Sequence, residues 1–295
     1  RCNMTKMNSY KVFTLLNNTF LSIILILTGY PFVYIVAKSF SGAQAIMSGK
    51  VFLWPVDFNL LTYVTVLQKD LFWINYKNTI VYTVTGTILS LALTTLIAYP
   101  LSKKKLLGKN VILKFITFTM FFSGGIIPTY LVVTSLQFTR NTIWGVILPN
   151  AISAYYVLIM KSFFEGIPES IEEAASIDGM DTLGILIKIV FPLSKPILAT
   201  MTMFYAVLIW NNWFTPFLFL REKRKMPVNM FLRDILFAAG FSMENSRDLT
   251  QSDLNQISMN LKSVTVVLVM LPMLAAYPFI QKYFAKGVMI GSIKG

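Results

Sequence analysis

"TIVYTVTGTILSLALTTLIAYPLSKKKLLGKN", residues 79–110, is an uncharged run ending at Ser102 that is followed at once by four lysines within eight residues. About 20 helical residues cross a hydrocarbon core of about 30 Å, so the run is long enough to span a bilayer and the lysine turn belongs in water. Five further uncharged runs occupy 12–37, 115–139, 141–160, 196–220 and 263–281. None shows the apolar–polar alternation of barrel strands. Helices that satisfy their own backbone hydrogen bonds are then the remaining way to span lipid. The expected fold class is all-α: a polytopic integral membrane protein of about six transmembrane helices, with residues 1–295 forming one transmembrane domain.

Composition agrees. Charged residues make up 13% of the 295 and hydrophobic ones 55%, whereas soluble domains carry about 25% charge. The run 12–37 is preceded by Lys6 and Lys11 and followed by Ala43-Gln44-Ala45, a small-residue pattern like a signal-peptidase site. A secretory apolar region has about 7–15 residues, so this longer run is expected to stay as a helix.

Several chemistries drop out. The chain has no histidine, which removes imidazole as base or zinc ligand, and one cysteine, Cys2, which leaves no intrachain disulfide. The expected catalytic and metal sites are none. The net charge of +13 fits an anionic partner, but the basic residues are scattered between runs and form no stripe for nucleic acid. The six runs contain no Asp, Glu or His. A stand-alone secondary transporter, the alternative reading, normally carries one for ion coupling, and an intramembrane enzyme would need a catalytic pair.

Alternation of spans places residues 38–78 and 221–262 as outer loops. The turn 103–110, the loop 164–191 and the tail 282–295 fall on the other side. Short loops decide orientation, so the lysine turn marks that side as cytoplasmic. There, "EEAASIDGMDTLGILIKIVFP", residues 172–192, stands out: Glu165, Glu169, Glu172, Glu173, Asp178 and Asp181 are about half of all the acids in the chain. Pro168 suits a helix start, the glutamates suit its positive end, and Gly179 suits its stop. Asp181 suits the cap of a second helix that stops before Pro192. The unit reads as helix, glycine turn, helix. A solvated loop whose charges serve only solubility remains the plainer alternative.

Glu173-Ala174-Ala175, three residues, Gly179, nine residues, Ile189, one residue, then Phe191-Pro192 resembles the "EAA…G…I-LP" cytoplasmic loop of ABC importer permeases. Phe191 stands where that pattern has leucine. "LPNAISAYYVLIMKSFFEGIPES" (148–170), "WNNWFTPFLFL" (210–220), "YPFIQKYFAKGVMIGSIKG" (277–295) and "NYKNTI" (75–80) extend the likeness to the maltose-type carbohydrate permeases over 75–295. The resemblance implies a type I ABC importer permease whose loop 164–191 docks on an ATPase. Glu172, Glu173, Ala174, Ala175 and Gly179 would be the coupling contacts, with the two acids pairing with basic groups of the ATPase cleft. It also implies two ATPase subunits, a second homologous permease, an extracellular or periplasmic solute-binding protein, and a bacterial cytoplasmic (inner) membrane. The chain has no G-x-x-x-x-G-K-[ST], so no cofactor is expected on it, and ATP and Mg belong to the ATPase partners. The glycine-containing tail 287–295 resembles a segment that reaches toward the ATPase dimer in the maltose system.

Within the runs, Trp210, Asn211, Asn212 and Trp213, with Asn150, Tyr155 and Tyr156, are candidate pathway residues. Amides bond sugar hydroxyls as donor and acceptor, and aromatic faces pack on sugar rings. The alternative is amide bonding between neighbouring helices, with Trp at the membrane interface. Outside, "REKRK" (221–225), Arg233 and Arg247 form a basic cluster. It suits an acidic oligosaccharide, alginate or another uronate oligomer among them, or an acidic face of the solute-binding protein. "PVNMFLRDILFAAG" (227–240) reads as an amphipathic helix.

Overall fold

The computed structural model describes residues 2–237 and 259–278. Every regular element in that range is helical. The chain divides into two compact units, one of residues 1–69 with 234–270 and the other of 70–233 with 271–295.

The first unit holds α1 (Cys2–Ser39), α2 (Ala43–Met47) and α3 (Leu61–Leu67). Leu15, Phe20, Ile26 and Leu27 are all largely exposed, as a lipid-facing helix requires. The chain then folds back on the end of α1. The Ser41 hydroxyl donates to the Ala37 carbonyl at 2.7 Å and accepts from the Val56 amide at 3.1 Å. Phe40 stacks on both Phe58 and Tyr63. Asn260, at the start of the helix Met259–Pro278, donates from Nδ2 to the Ser41 carbonyl at 2.6 Å.

The second unit opens with α4 (Asp70–Ser102), 33 residues and about 50 Å long at about 1.5 Å rise per residue. It starts earlier than the uncharged run 79–102 because Asp70 sits at the positive end of the helix dipole, where a charge stabilises the first turn. Against α4 pack α8 (Ala154–Phe164) and the helix Lys195–Trp210. Their shared core includes Tyr99, Val157, Met160, Phe164, Leu198 and Met201. Gly86 permits close approach: a Cβ there would lie 2.8 Å from Ile209 Cδ1.

Three other spans are bent. α5 (Lys109–Phe121) meets α6 (Ile126–Ser135) at 113°, across Gly124 and Gly125, the latter at φ 84°. The segment Ile143–Asn150, which contains α7 (Ile143–Ile147), meets α8 at 57°. Thr182–Leu193 meets Lys195–Trp210 at 85°. Among the described residues, three helices are long and apolar enough to cross a membrane alone, and each bent pair counted as one span brings the number to as many as six. The molecule is an all-α polytopic membrane protein.

Two boundaries differ from the sequence reading. The run 196–220 is not one helix, because the helix Lys195–Trp210 ends at Trp210 and a short helix, Phe214–Phe219, follows. The helix before Pro192 does not stop there: a π turn, Leu186–Val190, leads into Phe191–Leu193. The wider turn removes the clash that a proline ring makes with the carbonyl four residues back. The tail 282–295 and residues 238–258 of the outer loop, Arg247 among them, lie outside the described residues.

Candidate functional site

Helix α9 (Glu169–Ile177) begins after Pro168, whose φ of −58° and ψ of 127° turn the chain into the first turn. Glu169 and Glu172 occupy that turn and offset its positive end. At the other end Gly179 adopts φ 81°. Its amide donates to the Ser176 carbonyl at 3.1 Å, and the Met180 amide donates to the Ala175 carbonyl at 3.0 Å. These two bonds form a Schellman motif, which needs a left-handed residue at that point. A Cβ on Gly179 would meet nothing within 4 Å, so the demand is conformational and not spatial. Asp181 then caps α10 (Thr182–Ile185) by accepting from the Gly184 amide at 3.0 Å. A Cβ on Gly184 would lie 2.6 Å from Asp181 Oδ1, so a larger residue there would have to displace the capping carboxylate. The predicted helix, glycine turn and capped helix are all present.

The side chains divide differently from the expectation. Ala175 is 5% exposed and belongs to the buried core cluster that includes Ala98, Tyr99, Leu101 and Phe164. It therefore faces the chain's own core and presents no surface to a partner. Glu172, whose side chain is 15% exposed, is paired with Lys103 and accepts from the Tyr99 hydroxyl at 3.0 Å. Lys103 lies 4.1 Å from the centre of the Tyr99 ring. Glu172 thus has partners within the chain, the Lys103 ammonium and the Tyr99 hydroxyl.

The neighbouring acids follow suit. Glu169 pairs with Lys104 at 3.2 Å, and Glu165 pairs with Lys109 at 2.9 Å and Lys161 at 2.8 Å. Partial burial pushes the Glu165 carboxyl up, but hydrogen bonds from Lys161 and Lys109 outweigh it and hold the group below its ordinary range. The lysine turn 103–109 and the acidic loop thus form a charge ladder in opposite chain directions. Exposed residues of the helix and turn include Glu173, Ala174, Ser176, Ile177, Asp178 and Gly179, with Ile177 86% exposed. Ile177 was not among the predicted contacts. The ladder's signal was in the sequence, since four lysines and six acids fall on one side of the spans.

The pathway candidates also separate. Trp210 is 4% exposed, packs edge-on against Tyr76 and lends its carbonyl to the Asn229 amide. Its side chain is buried within the chain's own packing. Asn211 closes the helix Lys195–Trp210 and is exposed. Asn212 accepts from the Thr215 amide at 3.1 Å and donates to its hydroxyl at 3.0 Å. Asn150 donates to the same hydroxyl at 3.0 Å. Asn150 thus ties the end of the segment Ile143–Asn150 to the short helix Phe214–Phe219, while Asn212 bonds locally at the start of that helix. Trp213 lies under the Arg233 guanidinium at 5.3 Å. Tyr156 stacks on Phe204 and stands edge-on to Tyr205, while Tyr155 is half-exposed.

Residues 96–290 match the model of the binding-protein-dependent transport system inner membrane component family. The chain belongs to that family. It is 39% identical over 285 residues to the Bacillus subtilis polygalacturonan/rhamnogalacturonan transport system permease protein YtcP, covering 97% of this chain and 99% of that one. It is 40% identical over 285 residues to the Bacillus subtilis protein LplC, covering 97% and 96%. Among solved structures it resembles a chain of a bacterial ABC transporter involved in the import of the acidic polysaccharide alginate. The TM-score there is 0.87 and the identity 35%, over 94% of this chain and 98% of that chain. As a member of this family the chain is a multi-pass transport subunit and not itself an enzyme.

Proposed function

We propose that this permease forms half of the solute pathway of an ATP-driven importer for acidic oligosaccharides in a bacterial cytoplasmic membrane. Two ATPase subunits hydrolyse Mg-bound ATP, a second homologous permease completes the pathway, and an extracellular or periplasmic solute-binding protein delivers the sugar. Helix α9 couples the two activities by presenting Glu173, Ala174, Ile177 and the Asp178–Gly179 turn to the ATPase cleft. The observation that carries this reading is α9 itself: an isoleucine 86% exposed beside an exposed carboxylate, on a helix anchored to its own chain by buried Ala175 and by the pairs Glu172–Lys103 and Glu169–Lys104. Such a small mixed patch suits insertion into another protein.

An acidic sugar is supported by the relatives, since YtcP is named for polygalacturonan and the similar structure for alginate. The exposed basic side chains of Arg221, Lys223 and Arg224 at the outer end agree with an anionic solute or an acidic receptor face. A stand-alone secondary transporter is set aside by the family to which the chain belongs. The test is uptake by the assembled complex in proteoliposomes with its binding protein, using oligogalacturonate and a neutral glucan of equal length. ATP-dependent uptake of the acidic sugar is expected. Uptake without ATP, or of the neutral sugar alone, overturns the reading.

A further inference from the structure

Helix α4 is held at both of its ends by polar side chains that reach far along the sequence. At the inner end, Tyr99 and Lys103 grip Glu172 of α9, and Ala175 is buried in the same core cluster as Ala98, Tyr99 and Leu101. At the outer end, Asn78 donates from Nδ2 to the carbonyls of Arg224 at 2.7 Å and Met226 at 3.1 Å. The Tyr82 hydroxyl donates to the Lys225 carbonyl at 2.6 Å, and the Thr79 hydroxyl accepts from the Val228 amide at 2.7 Å. All the outer bonds go to backbone, so they hold the segment 224–228 itself and leave its basic side chains exposed or half-exposed.

Between these ends, α4 is the only unbroken span within residues 70–233, among the described residues. The other spans of that unit bend by 113°, 57° and 85°. A break absorbs displacement by changing a few dihedrals, whereas an intact helix passes it on. Tight packing at Gly86 on Ile209, and the hydrogen bond between Thr94 and Tyr205 at 2.5 Å, resist sliding of α4 past the helix Lys195–Trp210.

We propose that α4 is a relay rod, with Tyr99 and Lys103 positioning α9 and with Asn78, Thr79 and Tyr82 positioning the outer basic segment. Both ends bias one and the same rod position. A ligand bound at the outer segment therefore changes how α9 presents itself, and by linkage closure at α9 changes the outer segment equally. This rests on the reading of α9 as the ATPase contact, and it adds the route and the residues that carry it.

The experiment uses the whole complex in proteoliposomes and measures ATPase activity with and without the solute-loaded binding protein. Tyr82→Phe and Tyr99→Phe each remove one hydroxyl and keep the ring. The side chains they release lie about 25 Å apart along the helix. Each variant is expected to lower the ratio of receptor-stimulated to basal rate by about two- to tenfold, the range for one hydrogen bond. The double variant is expected to match the worse single one, because both cut one relay. Independent sites this far apart would multiply instead. Multiplied effects, or a wild-type ratio in either single variant, overturn the proposal. Asn78→Ala with Lys103→Met forms a second pair read in the same way should a tyrosine variant fail to assemble. A wild-type complex that binds no ATPase subunit would overturn the importer reading itself, which is a different outcome.

Discussion

The ion pair between Lys103 and Glu172 separates two accounts of the acidic loop. Lys103→Met removes the cation and keeps an aliphatic stem over the Tyr99 ring. Glu172, with its side chain 15% exposed, is then left with the Tyr99 hydroxyl as its remaining donor. A hydrogen bond to a charged group contributes about 1.5–3 kcal/mol. The Lys103 side chain is 31% exposed, so screening by water favours the lower figure. About 1.5 kcal/mol corresponds to a fall in Tm of about 3–6 °C at about 2–4 °C per kcal/mol for a large domain. Glu172→Gln is expected to cost a similar amount. The double variant should recover most of the loss, because neither charge is then left unpaired. The assay is thermal unfolding of the purified permease in detergent, with no ATPase subunit present. An unchanged Tm in Lys103→Met, together with loss of ATPase association in Glu172→Gln, would refute the ladder and place Glu172 at the subunit interface.

Two further outcomes follow from the same loop. Gly179→Ala is expected to cost about 1–2 kcal/mol through left-handed strain, and to lower sugar imported per ATP hydrolysed more than it lowers membrane insertion; unchanged stoichiometry would count against the turn's role. For Glu165, a depressed carboxyl contributes stability that is fully present above its ordinary value of 4.5 and disappears as pH falls through its lower folded value. The Tm difference between wild type and Glu165→Gln should accordingly hold from neutral pH down to about 4.5 and shrink in more acid buffer.

Runs of apolar residues were legible as spans because lipid imposes one length and one polarity on anything that crosses it. The turn at Gly179 and the cap at Asp181 were legible because each depends on a local property of one residue. Bends were not. Gly124-Gly125 and Trp210–Trp213 lie inside uncharged runs, where mean hydropathy does not mark a break; Gly125 takes a left-handed φ at the first, and at the second Asn212 bonds locally to Thr215 while Asn150 reaches it from residue 150. The loop's charges were visible but not their partners, because pairing the lysine turn with the acids depends on how α4 and α8 pack. Ala174 and Ala175 looked equivalent as small residues; only burial in the core cluster that includes Tyr99 and Phe164 shows that one faces in and the other out.

The docking role of α9 is tested most directly by site-specific crosslinking in the intact assembly, in a Cys2→Ser background that removes the single native cysteine. Ile177→Cys should crosslink to the ATPase subunit, with a yield that changes on ATP binding, while Ala175→Cys should give no product. Crosslinking from neither position, or from Ala175→Cys alone, would contradict it.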